Sequence, residues 1–347
     1  MRRLDAMDRE MLSDQAIFLD AQPRLVSEFV SRNVGTHRMI PLTANGGNAT
    51  SSLRHQADGG ISFSLLRYGV EVEISGPPQI SKYQIQLIRR GTCRLSHGKQ
   101  DYELRTGEAV LINPYYSTRS IYQGGCEKLI VAIDKNLLEA KLNSRLGFMT
   151  TQRLEFSGLI DRSTCDGTFL LNLLNAYCET WDLQASQSGF AAVNQIMRDT
   201  VTDAIILCAR NSHSELLAKE DGPDPAIRRI AEYVTANIQD DISVADLAAE
   251  VNIGERRLFK IFQLHLQTTP LLYIKSVKLQ HVKKAIEQTA CNGRTVTDIA
   301  TDYGFGHLGR FSMEYRRIHG ELPSETLMRV RRSHNDSAAT PSSVSRA

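Results

Sequence analysis

The spacing of apolar residues changes character along the 347-residue chain. From about Ile61 to Ile133 they fall in short, partly alternating runs: ISFSLLRY, VEVEI, YQIQLIR, TCRLSH, AVLIN and KLIVAI. The turn-like stretches HGKQD, RTGE and QGGCE separate several of these runs. Alternation over four to eight residues places one side of each strand in a core, and many short strands at this spacing predict an antiparallel sandwich or barrel. Residues 1–58 show no comparable period and contain the polar break TANGGNATSS, which predicts an irregular N-terminal segment.

After Ile133 the period lengthens to that of a helix. DKNLLEAKLNSRL begins with Asp134 as the expected N-cap and places Leu138, Leu142 and Leu146 on one face. Two more helices are predicted over about Thr168–Trp181 and Phe190–Ala209. The polar, proline-ended stretch NSHSELLAKEDGPDP reads as a linker over 213–225, and residues 333–347 are too poor in apolar groups to predict anything but a disordered tail.

Residues 226–332 contain an internal repeat. SVADLAAEVNIGERRLFKIFQLHLQTTP, from Ser243 to Pro270, is matched by TVTDIATDYGFGHLGRFSMEYRRIHGELP, from Thr295 to Pro323. Asp246-Leu247-Ala248 matches Asp298-Ile299-Ala300, Ile253-Gly254 matches Phe305-Gly306, and Leu258 and Phe262 match Phe311 and Tyr315. The second copy has one extra residue between its turn and its second helix. A small residue where two helices cross, a glycine-containing turn, and apolar residues three or four apart thereafter predict helix, tight turn, helix in each copy. Leu271 to Gln288 supplies an apolar-faced helix between the copies. Eighteen residues of helix span about 27 Å, close to the roughly 34 Å between successive major-groove faces on one side of DNA.

Within the second copy Phe305, Phe311, Tyr315 and Ile318 form the inward stripe, which leaves His307, Leu308, Arg310 and Met313 to project outward. In the first copy the outward set is Arg256, Arg257, Phe259 and Lys260. Arginine, lysine and histidine there can donate to base edges or phosphates, and Leu308 and Met313 can touch thymine methyls or sugars. Arg316 and Arg317 suit phosphate contact or a solvated face better than base reading.

These motifs, about a hundred residues in matching order and spacing, resemble the AraC/XylS family of bacterial transcription regulators. The outward residues fall on that family's DNA-facing positions. The family often carries serine where its recognition helices begin; Gly254 and Gly309 are read as standing there in this chain. RTGEAVLINP resembles the family's cupin-like segment, and the helical pair after the strands resembles its dimerisation element. The resemblance implies an α+β chain: a cupin-like antiparallel β-domain with following helices over 59–212, then an all-α domain of two helix-turn-helix units joined by a linker helix. It implies double-stranded DNA, RNA polymerase and a small organic effector as partners, with aromatic compounds among the candidates, and a homodimer that activates rather than represses.

Composition narrows the alternatives. Residues 225–332 carry 16 Lys and Arg against 12 Asp and Glu, a net of +4, whereas residues 1–224 carry 24 against 26, a net of −2. The imbalance points a polyanion at the C-terminal part. The six cysteines form no C-x-x-C pair, the N-terminus MRRLDAMDREML has no apolar core of a signal peptide, and no apolar run is long enough for a bilayer; these features predict a cytoplasmic protein with free thiols. The rival reading is a cupin-type metal-dependent enzyme with an appended helical domain. Such sites need clustered histidines and a carboxylate, and in the strand region His97 stands alone, in what reads as a turn. No cofactor, metal or catalytic residue is expected.

Overall fold

The computed structural model describes residues 11–12, 15–43, 50–181, 190–218, 224–289 and 294–338. They form two units: residues up to 142 with 154–214, and residues 143–153 with 215 onward.

The first unit is built on two antiparallel sheets. Its strands are β1 (Ala16–Ala21), β2 (Arg38–Pro41), β3 (Ser51–Asp58), β4 (Ile61–Arg67), β5 (Val72–Gly76), β6 (Lys82–Arg90), β7 (Thr92–His97), β8 (Gln100–Arg105), β9 (Ala109–Ile112), β10 (Thr118–Tyr122), β11 (Glu127–Asp134) and β12 (Leu159–Ile160). One sheet has the order β1-β3-β4-β11-β6-β9-β12 and the other β2-β5-β10-β7-β8. Leu53, Leu66, Ile88, Ile112 and Ile130 from the first sheet meet Val72, Cys93, Leu95, Leu104 and Tyr122 from the second in one core. The helix α1 (Pro23–Asn33) adds Val26 and Val30 to it.

The larger sheet is covered on its other face too, by α3 (Cys165–Thr180), with α4 (Phe190–Cys208) against it and Arg198 of α4 pairing with Asp58 of β3 at 3.4 Å; α2 (Lys135–Leu146) leads on from the end of β11. Phe63 of β4 meets Tyr177 of α3 edge to face at 5.0 Å, and Trp181 meets Phe190 at 5.2 Å. This double cover explains why β4, β6 and β11 are buried at nearly every position instead of alternating.

The expectation of an irregular segment over 1–58 is corrected: it contains β1, α1, β2 and β3. Pro23 opens α1 at a position where a missing N–H costs nothing, and Val26, Val30 and Val34, four residues apart, seat it on the core. His97 closes β7 and is buried, not placed in a turn. The strands β8 and β10 occupy stretches not read as strands.

The second unit contains α6 (Pro225–Ala236), α7 (Val244–Glu250), α8 (Glu255–Leu266), α9 (Pro270–Thr289), α10 (Val296–Asp302), α11 (Leu308–His319) and α12 (Pro323–Ala338), preceded by the short α5 (Ser214–Leu217). Both repeats end on a proline that opens the next helix, Pro270 for α9 and Pro323 for α12. The central α9 serves both halves. Tyr273 packs on Phe262 at 5.5 Å, while Leu279, Val282 and Ile286 join Ile299, Ala300, Phe311 and Tyr315 in a second cluster. The helix α12 runs to Ala338, so residues 333–338 continue a helix where the composition predicted a tail. Residues 219–223 of the stretch read as the linker, and 339–347, lie outside the described residues.

Candidate nucleic-acid interface

The two repeats fold alike because the same local chemistry is written twice. Ser243 caps α7 and Thr295 caps α10; each hydroxyl accepts from the amide three residues on, and Asp246 and Asp298 return the bond to the capping residue's own amide. These reciprocal capping boxes satisfy two orphan donors at each helix start. Hydrogen bonds from the Ser243 and Thr295 groups hold the Asp246 and Asp298 carboxyls below their ordinary range.

The turns match to the individual bond. Ile253 N–H donates to Ala248 C=O at 3.0 Å, and Phe305 N–H to Ala300 C=O at 3.0 Å. Asn252 and Gly304 occupy the same point of the turn with φ of 52° and 81°. This left-handed region costs most residues 1–2 kcal/mol, with glycine and asparagine the usual exceptions. Past the turn, Leu258 and Phe262 in α8 and Phe311 and Tyr315 in α11 are buried, as the spacing requires.

The opposite faces lie in solvent. Arg256, Arg257, Phe259 and Lys260 are exposed on α8; His307, Leu308, Arg310, Met313 and Arg316 are exposed at and along α11. Met313, at 75% exposure, is an apolar side chain left outside although its helix buries others readily. Among the described residues, none of Arg256, Arg257, Lys260, Arg310 and Arg316 is held in an ion pair. The acidic residue within α11, Glu314, is instead taken up by Lys275 of α9 at 2.6 Å. The outward face of α11 thus presents cations free to meet phosphate or base acceptors.

One position differs from the sequence reading. The cap of α8 is Gly254, but the cap of α11 is His307, one residue further from its turn; Gly309 is the second residue of the helix, not its start. Neither cap makes a side-chain hydrogen bond. With the caps aligned, Arg257 and Arg310 become equivalent third residues of their helices, and Lys260 is matched by Met313.

A polar chain anchors α11 from behind. The Tyr315 and Thr326 hydroxyls meet at 2.9 Å, Thr326 donates to Glu321 Oε1 at 2.8 Å, and Arg329 bridges to the same carboxylate at 2.8 Å. His319, buried at the end of α11, lies 3.2 Å from the Leu279 carbonyl of α9.

The first unit contains a cavity of about 60 Å³ between its sheets, lined by apolar side chains such as Val30, Ile74 and Ile130 and by His37, Gln84, Gln86, Tyr68 and Tyr122. The sequence reading named no residue of this cavity. His37 is held neutral by burial, which lowers its pKa; Nδ1 donates to Gly35 C=O at 2.9 Å and Nε2 accepts from Ser27 Oγ at 3.0 Å. Burial pushes the Tyr68 and Tyr122 hydroxyls upward, so both remain protonated. Among the described residues no group of three or more His, Cys, Asp or Glu could hold a metal ion, and no helix is long and apolar enough to cross a membrane.

Comparison with known proteins bears on both units. An AraC-binding-like domain matches residues 26–205 and a helix-turn-helix domain matches residues 247–329. The XylDLEGF operon transcriptional activator 1 of Pseudomonas putida is 29% identical over 332 residues, covering 94% of this chain and 99% of the relative. A probable thc operon regulatory protein of Rhodococcus erythropolis is 27% identical over 278 residues, covering 78% and 83%. Among solved structures, a probable AraC family transcriptional regulator from Rhodopseudomonas palustris CGA009 is 38% identical, covering 31% of this chain and 99% of that one at a TM-score of 0.30. The AraC-like transcriptional activator CuxR is 14% identical, covering 82% and 97% at a TM-score of 0.41.

Proposed function

The chain belongs to the AraC/XylS family of transcription regulators, its AraC-binding-like domain alone covering more than half its length, and from that premise we propose how its residues divide the work. It is a sequence-specific DNA-binding regulator with an effector-binding N-terminal unit and a helix-turn-helix C-terminal unit. In this reading α8 and α11 enter successive major-groove segments, with Arg256, Arg257, Phe259 and Lys260 facing DNA from the first helix and His307, Leu308, Arg310, Met313 and Arg316 from the second. The observation that carries the assignment is the pairing of twin helix-turn-helix units on one helix: α9, at twenty residues, is about 30 Å long, close to the groove repeat.

The regulator acts as an activator that contacts RNA polymerase, works in the cytoplasm as a homodimer, and has no catalytic activity. Relatives named as operon activators support activation. Exposed Val193, Ile196 and Leu207 on α4 and Phe169 on α3 support pairing of chains through these helices. The effector occupies the cavity between the sheets of the first unit.

Selection of duplexes from random sequence by the full chain, followed by binding at graded salt, tests the DNA assignment. The expected outcome is an enriched motif with two parts about one helical turn apart and an affinity that falls steeply with salt. A chain with no salt-sensitive affinity for any duplex overturns it.

A further inference from the structure

Lys128 is fully buried, with none of its surface exposed, and sits on β11 two residues before the cavity-lining Ile130 and on the same face of the strand. Its ammonium donates to Gln86 Oε1 at 3.0 Å and lies 4.1 Å above the centre of the Tyr122 ring. Both of those groups line the cavity, and both are neutral. Among the described residues no carboxylate forms an ion pair with it. An ammonium has three donors, and a lysine is almost never fully buried without a partner of opposite charge.

The surroundings continue the pattern. Gln86 Nε2 donates to Gln84 Oε1 at 3.1 Å, so a rail of two buried amides runs from the ammonium along the cavity wall. The rest of the wall is mixed: apolar side chains such as Val30, Ile74 and Ile130 share it with the neutral polar groups of Thr118, Ser120 and Asn113. A cation without an anion beside a partly apolar chamber of neutral groups describes a site complementary to a small apolar body bearing one negative group.

We propose that the effector is a small organic carboxylate and that Lys128 is its counter-ion, with Gln86 released to accompany the carboxylate. This rests on reading the cavity as the effector site. An inorganic anion would leave the apolar part of the wall unfilled, and a neutral effector would leave the ammonium as it stands. The volume of about 60 Å³, well under the roughly 150 Å³ of a cavity that takes a benzene ring, restricts the acid to a short chain of a few carbons.

The test uses the full-length protein, with propionate and isobutyrate as probes, each beside its primary amide, and inorganic phosphate as a further arm, all at constant ionic strength. Calorimetry and thermal melts are read for the wild type and two variants. The expected result is that at least one acid binds and raises the melting temperature, while its amide and phosphate do not. Lys128→Met should weaken that acid at least tenfold and melt no lower than the unliganded wild type, because the substitution removes a buried charge but keeps the shape. Gln86→Glu should pair internally with Lys128, melt higher, and likewise lose the acid.

Amides that bind as well as acids, or a Lys128→Met chain that retains the acid within twofold, overturn the charge assignment and leave the effector reading standing. Phosphate binding alone also overturns it. A Lys128→Met chain that melts far below the wild type marks the lysine as structural and overturns it as well. If neither acids nor amides bind the wild type, the effector reading fails, and the proposal with it.

Discussion

The Tyr315 hydroxyl and the Thr326 hydroxyl meet at 2.9 Å, joining α11, the second helix of the second repeat, to α12, which follows it. Both residues are completely buried. Tyr315 is also, with Phe311, one of the two fully buried apolar anchors of α11 in the cluster around Leu279 and Val282, on the side of the helix opposite the exposed Arg310 and Met313.

Replacing Thr326 by valine keeps the shape and removes the hydroxyl, leaving the Tyr315 hydroxyl and one Glu321 oxygen without that partner. A buried polar group stripped of its partner costs about 1–3 kcal/mol. Backbone amides of α11 in the full-length protein should therefore exchange with deuterium roughly 5- to 150-fold faster in Thr326→Val, if they exchange through opening of this part of the fold. Unchanged protection would show that the network does not hold the helix.

The same network carries a pH dependence. Burial alone would raise the Glu321 carboxyl, but the hydrogen bond and charge of Arg329, with the Thr326 hydroxyl, outweigh it and leave the pKa below the ordinary value. A carboxyl lowered by folding contributes stability that is fully present above its unfolded pKa, about 4.3, and is lost as pH falls through the folded value. Exchange protection in α12 should hold from neutrality to about pH 5 and then decline as acid is added. In Glu321→Gln it should be weaker at neutral pH and nearly flat across that acid window.

The sequence announced the second unit more fully than the first. Each repeat carries its own capping box, turn and apolar spacing, so local chemistry and tertiary fold agree within thirty residues. In the first unit the agreement is poorer. The strand β8 has mostly exposed positions and little apolar content to reveal it, and β1 is an edge strand with no buried residue. The buried runs of β4 and β11 register as strands only because they are short; their lack of alternation comes from helices supplied much later in the chain. Lys128 was illegible for the same reason. At the start of KLIVAI it reads as the solvent end of a strand, and only the closure of the two sheets buries it. The cap of α11 differs for another reason: the turn of the second copy is one residue longer, and the extra residue shifts the helix start to follow His307.

Two neighbouring glycines separate backbone need from simple space. Gly304 has a φ of 81°, and an added Cβ would meet only Lys278 Nζ at 3.5 Å, an ordinary contact. Its cost on substitution is therefore conformational. Gly304→Ala should destabilise the turn by about 1–2 kcal/mol. Gly306 has no such φ and nothing within 4 Å of an added Cβ, so Gly306→Ala should be nearly neutral. Melting temperatures of the two full-length variants check the contrast, and equal losses would refute it.

The alignment of caps makes the proposed DNA contacts testable residue by residue. Arg257 and Arg310 occupy the third position of their helices, the part proposed to read bases, whereas Arg316 lies six residues further along α11, nearer the helix's C-terminal end. Arg310→Ala should cost about 1–3 kcal/mol on the selected duplex and less on duplexes altered at a single position, relaxing specificity there. Arg316→Ala should weaken all duplexes alike and reduce the slope of log affinity against log salt by about one. The Arg257→Ala variant should relax specificity in the other half of the motif. Titrations of the three variants against single-position duplex variants at two salt concentrations distinguish these outcomes. If Arg310→Ala weakens every sequence equally, its guanidinium holds a phosphate, and α11 reads bases through His307 and Met313 instead.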